Sequence, residues 1–199
     1  MLGNRQITLR PPNEVTGAAV ADFYIRNREF LEPFEASHEP EFYTAAYQQT
    51  SLDRETQDIR EKRGYHFYIF SNCEPERLIG IIRISSIVWG AFRSCFMGYK
   101  MDEDYINRGY MTMAVKLVTQ FAFTEIGLHR IEANVMLWNK RSMRVLEKCG
   151  YQTEGVSRKY LRVNGKWEDH IHMVKLNDDD CSGAAYVEQD GIIRREENV

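Results

Sequence analysis

Cysteine is scarce in this chain, and what there is does not cluster. Cys73, Cys95, Cys149 and Cys181 are the only four in 199 residues, with no CxxC pair among them. That argues against both a disulfide framework and a zinc cluster, so no metal site is expected. Cys95 and Cys149 read as small core residues. An excess of one charge sign is also missing. Twenty-six basic residues face 29 acidic ones, a net charge of -3, which gives no electrostatic case for direct contact with nucleic acid or an anionic membrane. No apolar run approaches a membrane span, and Met1 to Arg10 holds no signal-peptide core, which sets the expectation of a cytoplasmic protein. Internal repeats and low-complexity stretches are absent as well.

What remains is 43% hydrophobic and 12% aromatic, enough apolar material for one packed domain. Gln6 to Arg10 alternates as a first strand ended by Pro11-Pro12. Val15 to Arg28 has helical spacing, Asn27 to Glu35 reads as a loop, and Glu41 to Arg63 as a long polar helix broken near Ser51. Tyr65 to Phe70 and Leu78 to Val88 read as strands joined by a hairpin-length loop, followed by a strand over Ser94 to Met101. Met111 to Ile126 is helical, with Gly127 suited to its stop. Arg130 to Met136 alternates again, and Asn139 to Lys148 is a short helix closed by Gly150. Tyr151 to Val163 and Lys166 to Leu176 flank Asn164-Gly165, a strong two-residue hairpin signal. This order predicts an α/β single domain, a mixed sheet with helices on both faces. The domain is expected over residues 1–177. Residues 178–199, which carry the acidic run Asp178 to Asp180 and few hydrophobic anchors, are expected to form a mobile tail, with an added edge strand as the lesser alternative.

Two stretches invite chemistry. In Asn107-Arg108-Gly109-Tyr110-Met111-Thr112 a strand gives way to a helix whose free N–H groups and dipole make an anion site. Gly109 allows close approach and Arg108 adds charge, although any strand-to-helix turn holds a glycine often enough. The second stretch is Asn139-Lys140-Arg141-Ser142. Helix capping alone accounts for Asn139. The alternative is that its amide binds a ligand carbonyl, with Ser142 facing the reacting group one turn on.

Together these stretches resemble the GCN5-related N-acetyltransferases (GNATs), and within them the ribosomal-protein-alanine N-acetyltransferases. Five separated matches carry the likeness, which spans roughly Arg5 to Asn177. They are Asn27-Arg28 with Phe30 to Glu35, Gly98-Tyr99, His129-Arg130-Ile131 with Ala133-Asn134, Asn139 to Ser142, and Asn164-Gly165 with Trp167 and Asp169-His170. The resemblance implies a mostly antiparallel sheet whose central strands, ending at Met101 and Met136, splay apart. The pantetheine arm of acetyl-CoA, the implied co-substrate, would lie in the gap on the backbone of Tyr99 and Met101. Its diphosphate would lie on Arg108, Gly109, Tyr110, Met111 and Thr112, with Asn139 and Ser142 completing the site. The amine would attack the thioester directly from the other side.

The pattern also departs from the family. Ile106 stands where the diphosphate loop commonly opens with Gln or Arg, and Met111 where a small residue is common. Cys95-Phe96-Met97 lacks the strand carboxylate that many relatives use as base, and Leu146 stands where many place an acidic tyrosine. Ser142 is then the expected acid. The base stays open among Asp169, Glu132 and His129, each with a structural alternative. A protein α-amine with a pKa near 7.7–8.0 is about one-tenth neutral at pH 7, whereas a lysine near 10.4 is neutral about once in 2,500 molecules. A site without a strong base therefore favours an N-terminal amine, on a ribosomal protein if the likeness holds. Phe30, Leu31 and Phe34, rimmed by Glu32 and Glu35, are candidates for the acceptor slot, with core closure as the bland alternative. Tyr160, Trp167 and Asp169 would line the facing wall. His170 and His172 lack a third metal ligand and read as a solvated strand face. Acetylation of a small amine (an aminoacyl-nucleotide antibiotic, a polyamine or an amino acid) stays open, as does a non-catalytic acetyl-CoA sensor. Both a monomer and a homodimer are compatible with the sequence.

Overall fold

The computed structural model describes residues 2–178, 186–189 and 192–195. Eight strands form one sheet in the order β1-β2-β3-β4-β5-β6-β8-β7. They are β1 (Leu2–Gly3), β2 (Ile7–Arg10), β3 (Tyr65–Ser71), β4 (Glu74–Val88), β5 (Ser94–Met101), β6 (Arg130–Met136), β7 (Gln152–Val163) and β8 (Lys166–Leu176). Neighbours pair antiparallel except β5 and β6, which run parallel. The mixed, mostly antiparallel sheet expected from the sequence is therefore the one observed.

Each face of the sheet carries its own apolar cluster. On one face Val20 and Phe23 of α1 (Gly17–Arg26) and Leu52 of α3 (Ala45–Arg60) pack with Tyr68, Phe70 and Ile81. On the other, Ala114, Val115 and Val118 of α4 (Tyr110–Thr124) and Leu146 of α5 (Lys140–Lys148) pack with Ile82, Ile84, Met97 and Ile131. Alternation along β5 divides its side chains accordingly: Cys95, Met97, Tyr99 and Met101 point toward α4 and α5, and Phe96, Gly98 and Lys100 the opposite way.

Several boundaries differ from the sequence expectation, for local reasons. α1 begins at Gly17 because the Thr16 hydroxyl caps it, accepting from the Ala19 amide. The segment expected as a loop after Asn27 is instead α2 (Arg28–Leu31) and a 3-10 turn over Glu32–Phe34. Asn27 fixes this corner: its amide donates to the Phe23 carbonyl at 2.9 Å and its Oδ1 accepts from Glu103 N at 2.9 Å. α3 runs unbroken through Ser51, starting from a Thr44 cap. β4 reaches back to Glu74, leaving only Asn72 and Cys73 between it and β3. Asn164 and Gly165 both take positive φ, 43° and 77°, as a tight β7–β8 hairpin needs. The tail expectation lies largely outside the described residues. Within it, β9 (Tyr186–Gln189) and β10 (Ile192–Arg195) pair with each other in a separate two-stranded sheet, and neither joins the main one. No described helix is long and apolar enough to cross a membrane.

Candidate active site

The site begins as a failure of pairing. β5 and β6 are in register only at Ser94–Arg130, Cys95–Ile131 and Phe96–Glu132. Beyond that point Met97 to Met101 and Ala133 to Met136 have no partners across the gap, although both strands continue. β5 stays paired to β4 and β6 to β8 as far as their ends. The result is a fork, closed at Phe96–Glu132 and open toward Met101 and Met136. Its lips present unpaired backbone N–H and C=O groups, which need a partner.

At the open end lie both helix starts singled out from the sequence. Gly109 N-caps α4 with φ +82° and no side-chain cap, and there is open space where a Cβ would stand. Only glycine takes this conformation without strain, and it leaves the first amides of α4 uncovered. Arg108 is exposed, with its guanidinium over the buried Tyr105 ring at 5.0 Å. Met111, one of the departures from the expected pattern, turns its side chain into the core at 8% exposure, so only its backbone faces the turn. Asn139 caps α5 by accepting from Ser142 N at 3.1 Å.

On the helix face of the fork, Tyr99 reaches Ser142. The two hydroxyl oxygens are 2.8 Å apart, and the phenol is also 3.2 Å from the Ser142 carbonyl. Burial pushes the Tyr99 phenol well above its ordinary value, while its bond to Ser142 works in the opposite direction. It therefore stays protonated and can donate. Sequence reasoning placed only the Tyr99 backbone at the site and missed this hydroxyl. The alternation Cys95, Met97, Tyr99 was the signal that puts it on the helix side. Leu146 is fully buried in the core beside them.

On the opposite face, Lys100 forms an ion pair with Glu35 and donates to the Tyr24 hydroxyl at 3.1 Å. Glu35 also faces His38 Nε2 at 3.2 Å. It is thus not the open acidic rim expected of it, whereas Glu32 is exposed. Leu31 is buried with the α1–α3 cluster and borders a cavity of about 120 Å³ lined also by Tyr24, Arg28, Glu32, Glu35 and Tyr43. Phe34 packs on Trp138 with ring centres 5.0 Å apart, and the Arg141 guanidinium sits 5.2 Å over Phe30. These contacts bring the front segment to the start of α5. Of the facing wall, Tyr160 is 3.2 Å from Asn134 Nδ2. Trp167 is 61% exposed at the hairpin, and Asp169 accepts from Lys159 N at 2.8 Å.

The two histidines are not the solvated strand face expected. His170 is 3% exposed, with Nδ1 3.0 Å from the Glu168 carbonyl. His172 lies between Glu132 Oε1 at 2.7 Å and Ser157 Oγ at 2.8 Å.

A sheet parted between two parallel strands, with a bare helix start at its open end and a hydroxyl pair at its wall, defines an acyl-CoA-dependent acyltransferase. The chain belongs to the GNAT acetyltransferase family: the family model described as "Acetyltransferase (GNAT) domain" matches residues 6–152. It is 39% identical over 180 residues to the probable N-acetyltransferase YjcK of Bacillus subtilis, covering 90% of this chain and 99% of that one. Among solved structures, the ribosomal-protein-S5-alanine acetyltransferase of Vibrio fischeri superimposes with a TM-score of 0.82 at 29% identity, over 90% of this chain and 97% of that one. RimJ of Mycobacterium smegmatis, in complex with CoA-disulfide, gives 0.80 at 26% identity, over 88% and 84%. The chain is accordingly an acetyl-CoA-dependent N-acetyltransferase.

Proposed function

We propose that the chain acetylates the N-terminal α-amine of a protein, with a ribosomal protein as the acceptor that the Vibrio fischeri relative favours. The fork between β5 and β6 carries this reading, because it offers unpaired strand edges beside a proton donor. In it, the backbone of Tyr99 and Met101 pairs with the pantetheine arm. The amides from Gly109 to Thr112, helped by Tyr110 and the Arg108 charge, take the diphosphate, and Asn139 Nδ2 donates to a pantetheine carbonyl. These groups fit acetyl-CoA, which supplies the acetyl group when bound.

The acid role falls to Ser142. When Tyr99 donates to Ser142 Oγ, the serine proton is left to point outward, toward a departing thiolate. Phe30, Leu31 and Phe34 form one wall for the acceptor chain, and Tyr160, Trp167 and Asp169 the other. An α-amine suits the site because about a tenth of it is neutral at pH 7.

The test is to incubate the purified protein with acetyl-CoA and a panel of N-terminal peptides, lysine peptides and small amines, following free thiol. Turnover on N-terminal peptides is expected. Turnover on small amines alone would replace the protein acceptor, and CoA binding without thiol release for any amine would make the protein a sensor.

A further inference from the structure

The face of the sheet turned away from α4 and α5, from which the amine would enter, carries a cation with nothing to hold. Arg83 on β4 is exposed and makes no hydrogen bond or ion pair among the described residues. Its register brings it to the fork. Arg83 is opposite Gly98, the second β5 residue past the last β5–β6 pair. A Cβ on Gly98 would stand 3.6 Å from Arg83 Nε and 3.9 Å from its Cγ. The arginine side chain therefore lies across β5, the lip of the fork, at a position that has no side chain of its own. Neighbouring cations on this face are engaged. Lys100, two residues on from Gly98, is paired with Glu35, and Arg130 on β6 is paired with Glu132 and Glu154.

The residues around Arg83 leave its charge open. His66 is its register partner on β3. Burial, with repulsion from Arg83 added, pulls the His66 imidazole down to about 4, so it is neutral at pH 7. Glu55 of α3 feels the Arg83 charge, but its carboxylate accepts from the Tyr68 hydroxyl at 2.7 Å and faces His66 at 3.5 Å. A guanidinium is a planar fork of donors that matches a carboxylate. Such a pair contributes little in open water. An acceptor lying over Gly98 would cover it and lower the local dielectric, which strengthens it. A single cation balances a carboxylate, whereas a phosphate monoester brings a charge of about −1.5 to −2.

We propose that Arg83 selects the acceptor: its guanidinium binds a carboxylate that the acceptor carries a few bonds from the reacting amine. This rests on the acetyl-transfer reading above and names the acceptor class within it. In a protein acceptor the first residue's own carboxyl is tied up in the peptide bond. The group is then the side chain of an Asp or Glu directly after it. A free amino acid offers the same chemistry through its α-carboxylate. The charge also works against wrong acceptors, since a Lys or Arg in the second position would meet Arg83 with like charge. Gly98 matters for what it lacks, because a side chain longer than alanine's would fill the space that Arg83 crosses.

The experiment measures kcat/KM with acetyl-CoA on peptides identical except for Glu, Gln or Lys in the second position, and on a free amino acid beside its amide. Wild type should prefer the Glu peptide to the Gln peptide about tenfold or more, the scale of a hydrogen bond to a charged group, with the Lys peptide slowest. Arg83→Gln should bring the Glu-to-Gln ratio to about one, mainly by raising KM for the Glu peptide, whereas a merely structural role would lower all peptides together and keep the ratio. Arg83→Glu should turn the preference toward Lys. Discrimination between the amino acid and its amide, with none among the peptides, supports the site with the α-carboxylate as its ligand. No preference for a carboxylate in wild type, in peptides or amino acid, or a preference that survives Arg83→Gln, would overturn the proposal. If wild type turns over no amine, the acetyl-transfer reading fails and binding decides the site. The probes are then the N-acetylated Glu and Gln peptides, titrated while the Arg Nε–H signal missing from Arg83→Gln is followed by NMR. A shift with the Glu peptide alone supports the site, and no shift sinks it.

Discussion

Tyr99 and Ser142 show how much of the chemistry rests on single atoms. Each hydroxyl is the other's close partner at 2.8 Å, so removing either changes both. Ser142→Ala should lower kcat by about two orders of magnitude, the low end of the range for general-acid help. Acetyl-CoA affinity should hardly change, because the Asn139 cap uses the Ser142 backbone amide. Tyr99→Phe leaves the serine hydroxyl in place and should cost less, about tenfold or below. Steady-state kcat with a CoA titration separates the two, and an unchanged kcat in Ser142→Ala removes that residue from the mechanism. The motif Asn139-Lys140-Arg141-Ser142 made this helix start visible in the sequence, since capping and spacing are local. Alternation placed the Tyr99 hydroxyl on the helix side, but its partner was invisible because it lies 43 positions away. The histidine on β8 was missed for the same reason. Its partners Glu132 and Ser157 come from other strands, and alternation alone cannot tell a solvated face from a networked one.

At the level of elements, one contact holds the acceptor side to the sheet and another holds its two helices together. Asp102, directly after β5, is buried and bonded to Arg26 of α1 and to Arg77 at 3.2 Å. Desolvation pushes its carboxyl up, but the bonds to Arg26 and the Asp104 amide outweigh this and hold it below the ordinary range. A depressed folded-state pKa contributes stability above the unfolded value near 3.9, and that contribution is lost as pH falls through the folded value. Asp102→Asn should cost about 3 kcal/mol at pH 7, the low end for a broken buried pair because Arg77 is a third exposed. Denaturant titrations from pH 7 to 3 should show the gap to wild type narrowing only below about pH 4.

The other contact is Gly17, where α1 and α3 cross. A Cβ there would lie 2.3 Å from the Ala45 carbonyl oxygen and 2.6 Å from Gln49 N, both backbone atoms that cannot swing aside. Gly17→Ala should therefore destabilise despite alanine's better helix propensity, by more than the ~1 kcal/mol that propensity would add. A raised Tm would show that the helices can separate. The strands and the Asn164-Gly165 hairpin were legible because alternation and turn chemistry are local. The front segment was taken for a loop because one corner residue, Asn27, bonded to Glu103 76 positions on, shapes it.

Taken whole, the molecule is two half-sheets joined at three register pairs. A ligand seated between them binds only the folded state, so CoA at a hundred times its Kd should raise the unfolding free energy by about 2.7 kcal/mol. Asn139→Ala should shrink that shift, and also cost about 1 kcal/mol without ligand through loss of the cap. Thermal melts with and without CoA measure both, and an equal shift in wild type and variant would clear Asn139 of any part in binding. The fold class and the placement of α1, α4 and α5 were legible from pattern. The parted strands were not, since pairing is decided between residues 36 positions apart; they followed only from the family likeness.

Strands that stop pairing inside a molecule create two raw margins where most proteins have none. Margins of that kind invite a stranger's backbone to add itself, the first step toward aggregates. Here Phe34 against Trp138 and Arg141 over Phe30 gather beside the open end. Shaving those aromatics to alanine should turn a well-behaved monodisperse sample into one that precipitates on storage, and CoA should rescue its solubility by filling the seam.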